Sequence, residues 1–301
     1  MSNYVRVSAF PAVVLATLTA CGGGGGGGNV IAPPAAPAAG PETTFSSFSA
    51  TAPNTTAVMP GIAQTARGSA SAMQLDPIST NSMAKLNIGD DGKVIGMSLL
   101  APASSAVFAP GSANCRPLGG CAAGDTEKNG VVLNPATLGW DYQTFGVWAI
   151  NGAPLQVGTI SAGAVTPASA VPTMGSATFT GHAGGFYFDG TGARLTTDAQ
   201  MSAVTDFSNR RIQFSTTGTM VSTAANPPAT TANSGLNLSG NLSYAPGSSQ
   251  FSGDVSTANG ALSGNASGRF YGPQAQEIGG VYGLNAASGG ARMIGGFGGK
   301  R

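Results

Sequence analysis

The residues that could do catalytic chemistry are few and scattered. His182 is the only histidine in the chain, which leaves no room for a metal site built from several histidines. No Gly-x-Ser-x-Gly motif accompanies it, so a serine nucleophile with a histidine base is unsupported. His182 shares a strand face with Thr178 and Thr180, which favours a solvent-facing residue; an axial haem ligand is the alternative. The sequence therefore predicts no enzyme and no metal site.

The charged residues favour structural roles. Asp198 and Asp206 show no shared apolar setting, so solvated surface is favoured over paired-carboxylate catalysis. Arg210-Arg211 follows a turn signal, and a solvated strand edge is favoured over an anion site. Asp90-Asp91-Gly92 lacks the alternating acids and the final glutamate of a calcium loop, which favours a plain turn.

Residues 1–20 have the layout of a secretion signal, with Arg6 followed by a short apolar run from Phe10 to Leu18. The run has less than half of the ~20 apolar residues that a spanning helix needs, which argues against a transmembrane segment. The sequence Leu18-Thr19-Ala20-Cys21 resembles the lipobox of bacterial lipoproteins, in which small residues precede a cysteine that carries diacylglycerol. We therefore predict lipid attachment at Cys21; ordinary signal cleavage after Ala20, with a free thiol, is the alternative.

Residues 21–42 predict a flexible tether behind the lipid. The glycine run Gly22–Gly28 is followed by an uncharged segment rich in Ala and Pro, and such a tether reaches roughly 70 Å at full extension. The chain has 13 basic and 12 acidic residues, and the two numbers become equal when Arg6 leaves with the leader. A neutral mature protein is a poor partner for nucleic acid or anionic lipid, so the lipid anchor is the predicted membrane contact.

Two cysteines remain after lipidation, Cys115 and Cys121, and an even pair in an exported protein predicts a disulfide. Pro117 and Gly119-Gly120 supply a turn that brings the two cysteines within range. Metal binding and redox activity of the two thiols are the alternatives, and neither another cysteine nor a histidine lies nearby to support a metal.

The composition predicts an all-β body. Glycine contributes 47 residues and charged residues only 8%, a bias that disfavours helix and favours strands joined by turns. Beyond residue 195, apolar and polar side chains alternate with the period of a half-buried strand, and Leu238 and Leu262 fall on the inward face. Turn residues between these runs predict antiparallel hairpins.

Further strands are predicted at Tyr142–Ile150, Ser176–Phe188, Met201–Phe207, Ile278–Leu284 and Ala291–Phe297. The resulting eight or nine strands suit a small closed barrel, and glycines recur on its inward face, where a narrow interior crowds side chains. Because the inward face is apolar and the outward face polar, we expect an eight-stranded antiparallel soluble β-barrel with a packed core.

The segment Gly268–Tyr282 and the ending Ile294–Arg301 resemble the end of a transferrin-binding protein B type barrel. In that family a strand closes on a Phe-Tyr-Gly-Pro-x-Ala-x-Glu turn, returns as Gly-Gly-Val-Phe and ends in Gly-x-Phe-Gly-Ala-Lys. Tyr282 and Gly299 are mild departures, and the resemblance covers roughly Tyr142 to Arg301. The residues that match the turn motif are Gly268, Phe270, Tyr271, Gly272, Pro273, Ala275, Glu277, Gly279 and Gly280.

The resemblance implies an eight-stranded barrel at 139–301 preceded by a small β-rich handle at 43–138. It also implies that Glu277 hydrogen-bonds backbone amides and fixes the strand return. Within the handle, strand-like runs on either side of Gly89-Asp90-Asp91-Gly92 predict a hairpin. Transferrin-binding protein B has two lobes, each a handle plus a barrel, whereas this chain has room for one.

Members of the family are displayed on the outer membrane of Gram-negative bacteria, often on the cell surface, and capture transferrin, haemoglobin or haem, or complement factor H. The resemblance thus implies a lipoprotein that binds a host iron or haem carrier, with an outer-membrane receptor as a further partner and haem as a candidate ligand. An immune-evasion or structural lipoprotein of the same fold, without an iron link, is the alternative. Asn151–Pro172 and Ser222–Gly235 are long for hairpin loops and are candidates for contact. Both lack charged and aromatic residues, and the sequence leaves the ligand-binding residues unassigned.

Overall fold

The computed structural model describes residues 37–116, 119–223 and 228–301. The predicted signal peptide, Cys21 and most of the tether lie outside the described residues, so lipid attachment stays a prediction. In the described part of the chain, none of the helices is long and apolar enough to cross a membrane.

Nearly all of the regular structure is strand, as the glycine-rich composition predicts. The strands are β1 (Glu42–Thr44), β2 (Thr56–Ser69), β3 (Ala72–Leu75), β4 (Ser79–Ile88), β5 (Val94–Leu100), β6 (Ser105–Phe108), β7 (Ala113–Cys115), β8 (Gly120–Gly124), β9 (Lys128–Leu133), β10 (Gln143–Ile150), β11 (Leu155–Gly163), β12 (Ser176–Phe188), β13 (Arg194–Asp206), β14 (Arg211–Ser222), β15 (Thr230–Ala232), β16 (Leu238–Ser243), β17 (Gln250–Thr257), β18 (Leu262–Tyr271), β19 (Glu277–Ala286) and β20 (Arg292–Lys300). One short helix, α1 (Pro135–Leu138), precedes β10, and single 3-10 turns lie at Ala168–Ala170 and Ser234–Leu236. Gly139 ends α1 in the left-handed conformation, with φ 64°.

The second sheet is a closed barrel. Its strand order is β13-β12-β20-β19-β18-β17-β16-β14, and β14 pairs back to β13, which closes a ring of eight antiparallel strands. The first strand, β12, pairs with the last, β20, and β15 adds a short pairing to β14 outside the ring. The predicted eight-stranded antiparallel barrel is confirmed, and its first strand has the predicted bounds, Ser176–Phe188.

The strand predicted at Tyr142–Ile150 does not belong to this barrel. It is β10, and it pairs with β9 and β11 in the first sheet. The closed barrel therefore begins at Ser176 and not near residue 139. Alternation of period two identifies a strand but not the sheet that it joins, because the choice of partner depends on contacts between residues far apart in the chain.

The first sheet has 11 strands and is larger than the predicted handle at 43–138. Its main path runs β6-β5-β4-β2-β11-β10-β9-β8-β7, with β1 and β3 paired to β2, so it continues to Gly163. The predicted hairpin is present as β4 and β5. The sheet curls until its two end strands, β6 and β7, come close, since Cys115 of β7 lies beside Val94 of β5.

The predicted disulfide joins Cys115 of β7 to Cys121 of β8. The two cysteines lie directly opposite each other in the antiparallel pair. Cys115 also places its Sγ 3.2 Å from the Val94 carbonyl of β5. The disulfide therefore holds a short edge strand at the place where the two ends of the first sheet meet.

The first sheet and the barrel form two bodies, and each body has an apolar core. Leu238 and Leu262 face the barrel interior, as predicted, and are buried there. Phe270 lies at the centre of a ring cluster in the same interior. Its ring centroid is 5.3–6.2 Å from those of Phe179, Phe207, Tyr244 and Phe251. The core of the first sheet is separate and contains Met59, Leu86, Phe108 and Trp148.

Candidate functional site

The turn motif lies where the barrel contacts the first sheet. This contact region between the two bodies is the joint. Glu277 begins β19 and is only 3% exposed. Its carboxylate accepts the Asp141 N–H at 2.6 Å and the Tyr142 N–H at 3.0 Å. As the resemblance implies, Glu277 binds backbone amides, but the donors lie just before β10 of the first sheet. The carboxylate therefore joins the two sheets, and the amides that it binds lie outside the return of its own strand.

The environment of Glu277 shifts its titration towards neutral pH. Burial raises the pKa of the Glu277 carboxyl to about 7, and hydrogen bonds from the Asp141, Tyr142 and Gln143 amides oppose part of that rise. The charge of the neighbouring Asp141 carboxylate raises the pKa further. The joint thus contains a buried acid that is about half ionised near pH 7.

Tyr271 and Gly272 extend the joint. The Tyr271 hydroxyl is buried and lies 3.1 Å from Ser161 Oγ of β11. The Thr166 hydroxyl donates to the Gly272 carbonyl at 2.6 Å. Gly272 has φ 84°, and a Cβ there would lie 2.7 Å from the Tyr142 ring, so both conformation and space require glycine.

Pro273 and Ala275 lie in the turn between β18 and β19, and the C-terminus packs against that turn. Ala275 is buried with φ 58°. The Arg301 N–H donates to the Gln276 carbonyl at 3.2 Å, and the Lys300 ammonium donates to the Gly139 carbonyl at 3.1 Å. The ending that resembles the family therefore also serves the joint.

Successive glycines along β19 and β20 face alternately into the barrel and towards the first sheet. A Cβ at Gly280 would lie 2.6 Å from the Phe297 ring inside the barrel, and a Cβ at Gly279 would lie 2.6 Å from Ser161 Oγ of the first sheet. The inward group, close to barrel side chains, also includes Gly268, Gly295 and Gly299. The outward group, close to side chains of the first sheet, also includes Gly283, Gly296 and Gly298. The inward group agrees with the predicted glycines of the barrel interior, whereas the outward group was not predicted.

The partners of this joint, Asp141–Gln143 and Ser161, were missed by the sequence analysis. The glycine pairs are the one signal that could have found them. A strand that needs glycine on both of its faces has other residues packed closely against both faces. This is the situation of a strand that lies between two packed bodies.

His182 lies on the outward face of β12, as predicted, but it is half-buried. Its neighbours across the sheet are Gln200 and Gly298, and Gly298 lies against Gln143 of the first sheet. Burial lowers the pKa of His182, so the imidazole is neutral at pH 7. His182 is only partly exposed because the first sheet packs over this wall of the barrel.

The two stretches predicted as contact loops are partly strand. Asn151–Pro172 contains β11, a nine-residue strand of the first sheet. Ser222–Gly235 contains β15, and residues 224–227 within it lie outside the described part. The small residues of both stretches resembled loop composition, although β11 is buried through most of its length.

Acidic residues are not brought together into a site. Asp198 and Asp206 lie eight positions apart on β13, roughly 26 Å along an extended strand. Asn209 donates its side-chain N–H to Asp206 at 2.7 Å, which holds the pKa of that carboxyl below its usual value. Within the described residues, no group of three His, Cys, Asp or Glu side chains could hold a metal ion.

The described residues form a groove and a pocket outside the packed cores. The larger is an open polar groove of about 880 Å³ on the outer wall of β14, β16, β17 and β18. One row across it is formed by the exposed side chains of Gln213, Asn241, Asp254 and Asn265, which stand opposite one another in register. The Asn265 side chain donates to Asp254 at 2.8 Å. The smaller is a pocket of about 110 Å³ at the end of the barrel, beside Phe207 and Tyr244.

The sequence of residues 171–301 matches the family model of the C-lobe and N-lobe beta barrels of Tf-binding protein B. This part of the chain is therefore similar to those barrels, as its turn motif and C-terminus predict. The match begins just before β12, later than the predicted start at Tyr142.

Solved structures with a similar fold include transferrin binding protein B from serogroup B Neisseria meningitidis, at 16% identity and a TM-score of 0.46, over 80% of this chain and 43% of that chain. The N-lobe domain of lactoferrin binding protein B of Moraxella bovis is 14% identical with a TM-score of 0.37, over 80% of this chain and 99% of that chain. A surface lipoprotein is 12% identical with a TM-score of 0.42, over 80% of this chain and 98% of that chain. This chain thus spans less than half the length of the Neisseria protein. No curated protein sequence matches it significantly.

Proposed function

We propose that this chain is a lipid-anchored binding protein on the surface of a Gram-negative bacterium, and that it captures a host iron-carrier protein for nutrient acquisition. The match of residues 171–301 to the barrel model of Tf-binding protein B carries the proposal. The predicted signal peptide and the lipobox-like sequence before Cys21 support export and anchoring. In this proposal the tether holds the two bodies clear of the membrane, where a large partner can reach them.

The packing favours a ligand of protein size that binds outside. Aromatic and aliphatic side chains fill the barrel interior, so a ligand binds on an outer surface. The polar groove is open and exposes amide and hydroxyl groups of Asn241, Ser239 and Ser263, which suit the hydrogen bonds of a protein interface. We therefore propose the groove as part of the contact surface.

The charge of the groove predicts how the partner associates. Asp254 is the one charged residue among those lining the groove. Electrostatic steering of a charged partner is therefore weak, and the association rate should change little with salt concentration.

A binding screen tests the proposal. The full chain, purified in detergent and immobilised, would be exposed to transferrin, lactoferrin, haemoglobin, complement factor H and, as a control without iron, serum albumin. Haemin would be titrated separately by absorbance. We expect saturable binding of one iron carrier. Capture of complement factor H with no response to any iron carrier or haemin would contradict the proposal and support the alternative without an iron link.

A matched pair of variants tests the proposed contact surface. Gln213→Arg places a long charged side chain in the groove, whereas Gln200→Arg makes the same change at an exposed position of β13 outside it. We expect only Gln213→Arg to weaken carrier binding, with both variants retaining the wild-type circular dichroism spectrum. Equal binding by the two variants would remove the groove from the contact surface.

The anchor is tested separately at Cys21. Cys21→Ser removes the thiol that would be acylated, so we expect the protein to leave the detergent phase in phase partitioning. Unchanged partitioning would contradict the lipid anchor but would leave the binding proposal intact.

A further inference from the structure

The small pocket at the barrel end combines apolar walls with two polar donors. It lies where β13 turns into β14 and β16 turns into β17, under the segment that leads into β12. Its apolar wall includes Val171, Pro172, Phe207 and Pro246. Tyr244 and Arg210 complete the lining on the side of the turns.

The Tyr244 hydroxyl is a buried donor without a partner. Tyr244 is 8% exposed, and its ring packs edge-on against Phe270 in the barrel core at 5.3 Å. Within the part of the chain that the structure describes, its hydroxyl forms no hydrogen bond. A buried polar group in this state is costly, so a ligand that accepts its hydrogen bond gains more than the same ligand would gain from an exposed hydroxyl.

Arg210 brings a positive charge to the same place. It has φ 53°, in the left-handed region, and its carbonyl accepts the Tyr244 N–H at 3.3 Å, which ties the arginine to the tyrosine strand. Its guanidinium forms neither a hydrogen bond nor an ion pair with any described residue. The charge of Arg210 lowers the pKa of Tyr244, which burial raises, so the guanidinium acts on the hydroxyl electrostatically. The Asp206 carboxylate, which Asn209 binds at 2.7 Å, also acts on the Tyr244 hydroxyl and raises its pKa, but it forms no ion pair with Arg210 among the described residues.

We infer that this pocket binds a carboxylate borne on a short apolar group, with Tyr244 and Arg210 as its hydrogen-bond donors. A guanidinium is suited to a carboxylate because its N–H groups match the two oxygens, and the apolar wall suits the attached carbon atoms. The volume of about 110 Å³ equals that of about four water molecules, so the ligand is small. It is below the roughly 300 Å³ at which pockets for larger ligands begin, which excludes haem.

The same chemistry has two sources, a free short-chain acid and an acidic end or side chain of a partner protein. Titration of the full chain in detergent with butyrate and with butyramide, its neutral counterpart of similar shape, tests the free acid. Titration with a short peptide ending in a free carboxylate and with its C-terminal amide tests the partner chain. Calorimetry or changes in amide chemical shifts around Tyr244 would measure binding.

We expect at least one of the two acids to bind and its amide to bind at least tenfold more weakly. Tyr244→Phe and Arg210→Gln should each weaken binding by about ten- to a hundredfold, while Arg211→Gln, the neighbouring arginine that does not line the pocket, should leave it unchanged. Binding by butyrate assigns the free acid, and binding by the peptide alone assigns the partner chain. Failure of both acids to bind, or equal binding of acid and amide, would overturn the inference without the need for any variant. It does not depend on the identity of the iron carrier.

Discussion

The barrel and the first sheet differ in how their strand edges are protected. The barrel has no free edge in its ring, because β14 pairs back to β13. The main path of the first sheet ends in two edge strands, β6 with four residues and β7 with three, and a disulfide holds the second of them. Closure protects the barrel through its topology, whereas the first sheet depends on short edges and local links.

The comparison predicts that the largest loss of unfolding free energy comes from removing a ring at the centre of the barrel core. Phe270→Ala removes the ring around which four other rings pack, and we expect a cost of about 3–5 kcal/mol in unfolding free energy. Phe108→Ala removes a buried ring from β6, and should cost less because a four-residue edge strand can relax into the space. Denaturant unfolding of both variants measures the difference. A larger loss for Phe108→Ala would show that the first sheet, and not the closed barrel, dominates stability.

The joint between the bodies should depend on pH through Glu277. Its pKa is raised from 4.5 to about 7 in the folded protein, so the folded state binds the Glu277 proton more tightly than the unfolded chain does. This proton contributes its full stabilisation to the unfolding free energy below pH 4.5, and the contribution is lost as the pH rises through 7. The loss is on the order of 3 kcal/mol. Glu277→Gln removes this titration, and we expect its unfolding free energy to vary less than that of the wild type between pH 5 and 8. Parallel pH profiles for the two proteins would contradict the assignment.

Removal of the disulfide should affect the first sheet alone. The ring between Cys115 and Cys121 is small, so its loss in the double variant Cys115→Ser with Cys121→Ser should cost about 2 kcal/mol. Hydrogen exchange should speed up in β7 and β8 while the amides of β17 and β18 keep their protection. Faster exchange in the barrel strands would show that the two bodies unfold together.

The smallest expected effect is at a glycine of the joint. A Cβ at Gly298 would lie 2.5 Å from the Gln143 amide nitrogen, so Gly298→Ala should cost about 1 kcal/mol while the flexible glutamine end moves aside. Gly152→Ala is the matched control, because a Cβ there would meet its nearest atom at 3.7 Å. Thermal unfolding should separate the two. An equal effect on the melting temperature would show that the first sheet leaves room for a side chain at Gly298.

Local sequence patterns were sufficient to predict strands that have one buried and one solvent-exposed face. β16 alternates buried and exposed residues along most of its length, and its partners in the barrel were predicted together with it. The turn motif and the ending also predicted the family, because the close packing they serve restricts the residue types. The disulfide followed from the number of cysteines and the turn between them.

Patterns were weak where strands are buried on both faces. β11 is buried from Val157 to Gly163, and β10 is buried along most of its length. Such strands lack alternation, so β11 was taken for a loop and β10 for a barrel strand. Arg210 of the candidate pocket is exposed, as predicted, but nothing in the sequence places it beside Tyr244.

The sequence by itself determined that the chain is all-β, that its end forms an eight-stranded antiparallel barrel, and that Cys115 pairs with Cys121. These properties depend on composition, on period-two alternation and on residues close together in the chain. Only the tertiary structure decided that β10 and β11 join the first sheet, that Glu277 binds amides 135 and 136 positions away, and that Arg210 meets Tyr244 at a pocket. The physical reason is that the pairing of sheets and the burial of outer walls come from long-range packing, to which each local segment contributes one face without specifying its partner.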